Sequence, residues 1–179
     1  MHQPISPAIL YWGTPVIIIS TTNEDVLSLM APSAVMVAQV NALAKTLGRQ
    51  DLSPFKKAAG YEYMKDKFGR AKLTPMGCEM VTPLRVQKCP VQMEAELVQV
   101  DEMNSGEEGM AGFFLGLEVK ILKVHGEESI VQIGASDRID ADRWKPLMMM
   151  MMSFQQFYGL SGRLQPSRLA KINEEALQG

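Results

Sequence analysis

The sequence predicts a mainly β fold with flanking helices, and three patterns carry that expectation. The first is the run Pro15-Val16-Ile17-Ile18-Ile19-Ser20-Thr21-Thr22, which opens into Asn23-Glu24-Asp25. Successive apolar or β-branched residues between a proline and a polar cluster read as a buried strand ending at a loop. The second is a period of two from Pro90 to Val100, with Val91, Met93, Ala95 and Leu97 on one face and Gln92, Glu94 and Glu96 on the other. Leu115, Leu117, Val119 and Ile121 repeat it, and beyond a short His125–Glu128 turn a third strand is expected through Ile130–Ile133. The third is the spacing of Met36, Val40, Leu43, Ala44 and Leu47, which places them on one helical stripe over 35–47. Together these describe an antiparallel meander with one wet face and a helix packed beside it, the material of small barrels.

Taken in order, the helix has Ser33 as a candidate N-cap and Gly48 as a candidate C′ residue. From Arg49 to Pro83, charged residues alternate with Pro54, Gly60, Gly69, Pro75, Gly77 and Pro83, which suits a long connection with short helical pieces. The segment from Asp101 to Gly112 is acidic and turn-forming. Asp137, Arg138, Asp140, Asp142 and Arg143 form a mixed charge cluster suited to fixing a loop or helix start. Met148–Met152 is a run of five methionines. Methionine is flexible enough to fill a core gap or to line a groove. If that run is helical, about three extra residues rotate the chain beyond it by roughly 300°, so Phe154, Phe157 and Tyr158 nearly keep their facing.

A chain of 179 residues fits one domain, 1–179, with a sizeable core. A hydrophobic fraction of 46% and a charged fraction of 21% are those of an ordinary globular protein, and a net charge of −2 argues against nucleic acid as a partner. The N-terminal region lacks a basic stretch followed by a long apolar one, and no run of about 18 apolar residues occurs, so no membrane association is expected and a cytoplasmic location is. Cys78 and Cys89 are too few for a disulfide framework, and with only His2 and His125 as imidazoles no metal site is expected. No Ser-His-Asp or Cys-His arrangement is supported, since His125 is expected in a tight turn and His2 near a terminus.

Several of these segments, in order, resemble the flavin reductase-like proteins, the FMN-binding split barrels. Ala8–Thr14 with the strand 15–22 is similar to the family's first strands. Gly60-Tyr61-Glu62-Tyr63-Met64-Lys65-Asp66-Lys67-Phe68, Leu73-Thr74-Pro75, Cys89–Ala95, Asp137–Leu147 and Ser153–Leu160 resemble later pieces of one branch. The resemblance implies an FMN-binding split β-barrel that is incomplete. Val26–Leu29 and Val35–Ala44 resemble a strand and helix that the family carries further on, so a segment of about 30–40 residues, some strands and loops, is expected to be lacking between about Asp25 and Val26. An alternative alignment pairs Ala31-Pro32-Ser33 with a flavin-side motif of the family. A lost exon, a shortened isoform or a member that has shed its cofactor would each account for the gap.

The function that the resemblance implies is that of an FMN-binding oxidoreductase of the flavin reductase type, homodimeric, moving hydride between a nicotinamide cofactor, NAD(P)H, or a small organic substrate and flavin. The flavin carries the redox step, so no catalytic acid or base is required. Ser20, Thr21, Thr22 and Asn23 match the strand end that lines the flavin, although a solvated strand end would look the same. Lys67 could approach a phosphate and Phe68 pack beside the ring; the plain alternative is an ion pair of Lys67 with Asp66 or Glu62. Trp144 and Tyr158 could cover the pocket or a dimer interface, or serve as core anchors. The alternative function is a non-catalytic split-barrel remnant acting as a dimerisation or binding module. Val26–Ser33 discriminates the two: folded back to offer amides to a phosphate it keeps the cofactor site, whereas a strand continuing into the helix lowers cofactor affinity by many orders.

Overall fold

A computed structural model of the chain describes residues 13–22, 25–103, 106, 114–134, 138–140, 142–150 and 156–160. Its elements are β1 (Thr14–Pro15), β2 (Ile18–Thr21), β3 (Val26–Ala31), a 3-10 turn at Ala34–Met36 leading into α1 (Val37–Leu43), β4 (Thr46–Leu47), α2 (Pro54–Ala58), β5 (Glu62–Tyr63), α3 (Lys67–Ala71), β6 (Pro75–Met76), β7 (Arg85–Val86), β8 (Val91–Met103), β9 (Phe114–Gly126), a 3-10 turn at Glu128–Ile130, β10 (Met148–Met150) and β11 (Gln156–Tyr158). The expected mainly β architecture with short flanking helices is what these residues form.

The main sheet has the order β2-β3-β8-β9, antiparallel throughout, and is open at both edges. Thr21 pairs with Leu27, so β2 and β3 are joined across residues 22–25 without an intervening strand. β3 is paired on both sides, Leu27–Met30 with Thr21–Ile18 of β2 on one edge and all six residues with Val91–Glu96 of β8 on the other. A smaller sheet, β1-β10-β11, docks through the Val16 amide on the Leu147 carbonyl (2.8 Å) and the Leu147 amide on the Pro32 carbonyl (2.9 Å). The methionine run is thus strand rather than helix: Met148 and Met149 pair with Pro15 and Thr14, and Met151 and Met152 lie outside the described residues.

The core gathers where α1 and α3 cover β3. Met30, Met36, Ala71, Leu73, Val86 and Cys89 are buried together, with Ile18, Leu43 and Phe68 packed against them. A second cluster joins Ala31, Val91 and Ile130 to Ile139 and Trp144.

Four further expectations need correction. The helix expected over 35–47 stops at Leu43, and Lys45, not Gly48, takes the left-handed conformation (φ 58°). The chain leaves the helix because better partners exist: the Thr46 hydroxyl donates to the Leu43 carbonyl (2.7 Å), and Thr46–Leu47 pairs in parallel with Glu62–Tyr63. Ser33 precedes the 3-10 turn but makes no side-chain cap. The third strand at 130–133 is also replaced, by a 3-10 turn and a single bridge from Val131 to Ile139, since burying Ile130 in the second cluster turns the chain away from the sheet. His125, expected in a tight turn, instead sits within β9 opposite Gln92.

The fourth correction concerns the wet face of β8. Gln92 and Glu94 are buried, Glu94 at 0% exposure, because residues 77–86 lie across that face. A buried carboxylate requires compensation, and Glu94 has it. It accepts the Glu79 amide (3.0 Å to Oε2), the Met80 amide (2.6 Å) and Nε2 of His125 (2.6 Å), with the Arg85 guanidinium 3.8 Å away. Arg85 in turn donates through Nη2 to the Gly77 carbonyl (2.7 Å). Burial alone would raise the Glu94 carboxyl, but the Met80 and Glu79 amides and His125 outweigh it and hold it at about 2.

A group with a depressed folded value stabilises fully above its ordinary value of 4.5, and that contribution is lost as pH falls towards 2. Glu94→Gln is therefore expected to lower unfolding free energy by about 2–4 kcal/mol at neutral pH. Urea titrations of both proteins as pH is lowered should show the gap narrowing below the ordinary value; a gap of constant size would contradict this role.

Candidate functional site

The largest concentration of the expected residues surrounds a cleft of about 450 Å³ between the β2–β3 hairpin and the segment 64–68. Its floor is apolar: Ile18, Met30, Leu43, Leu73 and Val86 come from five separate elements or their flanks. Met30 is fully buried and its Sδ accepts the Val86 amide at 3.1 Å, which fixes β7 against β3. On the rim stand Ser20 and Thr21 at the end of β2, facing Lys65, Asp66, Lys67 and Phe68.

Local chemistry explains why 64–68 arrives there. Asp66 caps α3, its Oδ1 accepting the Gly69 amide at 2.8 Å, and Lys72 closes the helix in a left-handed conformation (φ 52°). The Met64 amide donates to the Leu47 carbonyl (2.8 Å), tying this segment to the chain that follows α1. The partners considered for Lys67 are engaged otherwise: Glu62 pairs with Arg70 (3.2 Å) and Asp66 serves as the cap. Lys65 and Lys67 both line one rim of an apolar-floored cleft, with Asp66 between them in sequence.

Of the residues singled out from the sequence, Ser20, Thr21, Lys67 and Phe68 meet here. Thr22 lies just past the cleft, its hydroxyl 3.3 Å from that of Thr82, and Asn23 lies outside the described residues. Trp144 packs into the second core cluster, where its buried indole nitrogen finds no hydrogen-bond partner among the described residues. Tyr158 is in β11, 44% exposed, opposite Met148. Neither aromatic lines the cleft. The floor residues and Lys65 were missed. The floor gives only a core signal in sequence, and Lys65 differs from any surface lysine only by its place in the motif with Lys67.

Val26–Ser33 settles into β3 and runs directly on into the Ala34–Met36 turn. Val26–Ala31 pair with β8, Leu27–Met30 pair with β2 as well, and Ser33 bridges to Pro146, so the segment offers the cleft no run of free amides. The cleft therefore suits a flat apolar ring with polar edges and an anionic group near the lysines, with side chains rather than backbone as the anion's partners. Of the thiols, Cys89 is buried and pushed up to about 12 by burial, which leaves it inert as a nucleophile. Among the described residues no cluster of His, Cys, Asp and Glu could hold a metal ion, and no helix is long and apolar enough to cross a membrane.

No protein-family model matches the chain. The uncharacterized protein YdfE of Bacillus subtilis is 26% identical over 196 aligned residues, covering 88% of this chain and 89% of the relative. Among solved structures, flavoredoxin of Desulfovibrio vulgaris superposes with a TM-score of 0.69 at 15% identity, over 95% of this chain and 99% of its own. Nitrilotriacetate monooxygenase component B from Bacillus cereus gives 0.58 at 20% identity, over 80% of this chain; the chain spans 60% of its length. A Shewanella frigidimarina protein assigned as a flavin reductase with split barrel domain gives 0.53 at 12% identity, over 80% of this chain and 60% of its own. The backbone described above is the fold of the flavin reductase-like split-barrel proteins.

Proposed function

We propose that this chain is an FMN-binding oxidoreductase of the flavin reductase type, with the flavin seated in the cleft between Ser20-Thr21 and Lys65–Phe68. The observation that carries the reading is the convergence of those residues on one apolar-floored cleft of about 450 Å³, within a fold shared with flavoredoxin. Ile18, Met30, Leu73 and Val86 would exclude water from one ring face, Phe68 would bound its side, and the Ser20 and Thr21 hydroxyls would meet its polar edge. Lys65 and Lys67 would hold the phosphate as point charges. When bound, the flavin supplies the redox chemistry, accepting hydride from NAD(P)H or passing it to a small organic substrate. Two free thiols suit the reducing environment of the cytoplasm.

Without backbone amides at the phosphate, affinity should be modest, with the flavin exchanging freely. That same feature favours the second reading, a split-barrel remnant that binds partners without a cofactor. Fluorescence titration with FMN separates them. Since Val26–Ser33 runs as a strand towards α1, the outcome expected to weaken cofactor binding, the flavin reading expects saturation near one flavin per chain only at submillimolar concentration, with about tenfold weaker binding in Lys67→Ala, equivalent to about 1.4 kcal/mol. Absence of saturation at millimolar FMN in a folded protein would leave the remnant.

A homodimer is part of the proposal, supported by the outer half of the β8–β9 ribbon. β3 pairs only as far as Glu96, so residues 97–103 and 114–119 have no third strand among the described residues. The paired residues Leu97 and Val119, Val100 and Leu117, and Glu102 and Leu115 put an apolar ladder on one face, with Val100, Leu115 and Leu117 about half exposed. A two-stranded ribbon alone is marginal in water. A second copy laid on that ladder would bury it, and Leu117→Lys is expected to shift sedimentation from dimer to monomer; a wild-type monomer at high concentration would refute the assembly.

A further inference from the structure

The loop 77–84, between β6 and β7, is held by polar contacts around one imidazole. Its Glu79 and Met80 amides donate to Glu94, the Cys78 thiol donates to the Pro83 carbonyl at 2.8 Å, and the buried Ser28 hydroxyl donates to the same carbonyl at 3.2 Å. The Glu79 side chain reaches β9, pairing with Lys123 and standing 3.9 Å from Nδ1 of His125. Nε2 of the same ring lies 2.6 Å from Glu94. His125 therefore bridges a fixed carboxylate of β8 and a carboxylate carried by the loop.

Charged groups reach the ring from every element packed against it. Glu94 faces it from β8, with the neutral amide of Gln92 directly across the pair; Arg85 of β7 and Glu127 beyond β9 share a small cavity with it; Lys123 lies on its own strand, and Glu79 comes from the loop. A neutral ring can give its one N–H to Glu94 and then turns an unprotonated Nδ1 towards Glu79. A protonated ring carries N–H groups on both sides, donating to Glu94 and attracting Glu79 as an ion pair at 3.9 Å. We propose that His125 is a proton-dependent latch that tightens the loop 77–84 onto the sheet when protonated and loosens it when neutral.

The latch reaches the cleft through covalent and hydrogen-bonded neighbours. Thr82 meets Thr22 at the end of the strand that carries Ser20 and Thr21, and the loop runs straight into Val86 of the cleft floor. Loosening the loop when the ring is neutral would slacken its hold on Thr22 and Val86, at the edge and floor of the cleft. This holds whatever the cleft binds.

Amide hydrogen exchange on the full chain tests it, read as protection factors so that the intrinsic pH dependence of exchange cancels. Protection of the Glu79 and Met80 amides should fall about two- to fivefold from about pH 5 to about pH 8, the size expected for an ion pair with a partly exposed partner. His125→Gln should hold both amides at the high-pH level throughout, and the exposed Glu79→Gln, which leaves the Glu94 contacts in place, should flatten most of the change. An unchanged fall in either variant, or none in the wild type, would overturn the latch. If His125→Gln does not fold, Glu79→Gln decides alone.

Discussion

β3 is the element on which the remaining structure depends. All six residues, Val26–Ala31, pair with β8, the four from Leu27 to Met30 pair with β2 as well, and both faces are used. Met30 is the floor of the cleft and the acceptor for Val86; Ser28, 0% exposed, meets the loop 77–84 from below; Ala31 joins the second core cluster. Strand interiors with all backbone groups satisfied and both faces buried are costly to open, because pairing and burial are lost together. The same saturation removes the backbone of Val26–Ala31 from any role in binding an anion.

That trade shapes the functional reading. In a site built on backbone amides, affinity comes from donors that need no side-chain ordering. Here the cleft has an apolar floor and two flexible lysines, so each contact with an anion costs side-chain entropy. The fold is that of flavoredoxin over 95% of this chain, and an anion in the cleft would meet side chains rather than backbone. Its chemistry describes a looser hold than a cradle of amides would give.

Much of this was legible in the sequence, for reasons that differ by element. The strand at 18–21 and the inner half of β8 announced themselves through β-branched residues and a period of two, although the first, expected to be buried, is an edge strand with Ile17 and Ile19 about half exposed. Ser20, Thr21, Lys67 and Phe68 could be named because they stand in motifs resembling those of a known family. The wet face of β8 was misread since Gln92 and Glu94 alternate as solvent-facing residues do; only the fold shows that 77–86 covers them and that Glu79 and Met80 supply donors. The end of α1 was misread because Leu47 continues the helical stripe, while Thr46 and Lys45 find partners in a segment distant in sequence. Long-range partners of this kind leave no periodic trace.

If β3 is a saturated central strand, closed to anion binding and anchoring both the cleft and the loop, native-state amide exchange of Leu27–Met30, the residues paired on both edges, shows it most directly. These amides should exchange only through global unfolding, with a free energy equal to that from denaturant titration. Exchange through local opening, at free energies well below the global value, would contradict a saturated β3 and leave Val26–Ser33 able to fold back towards a phosphate.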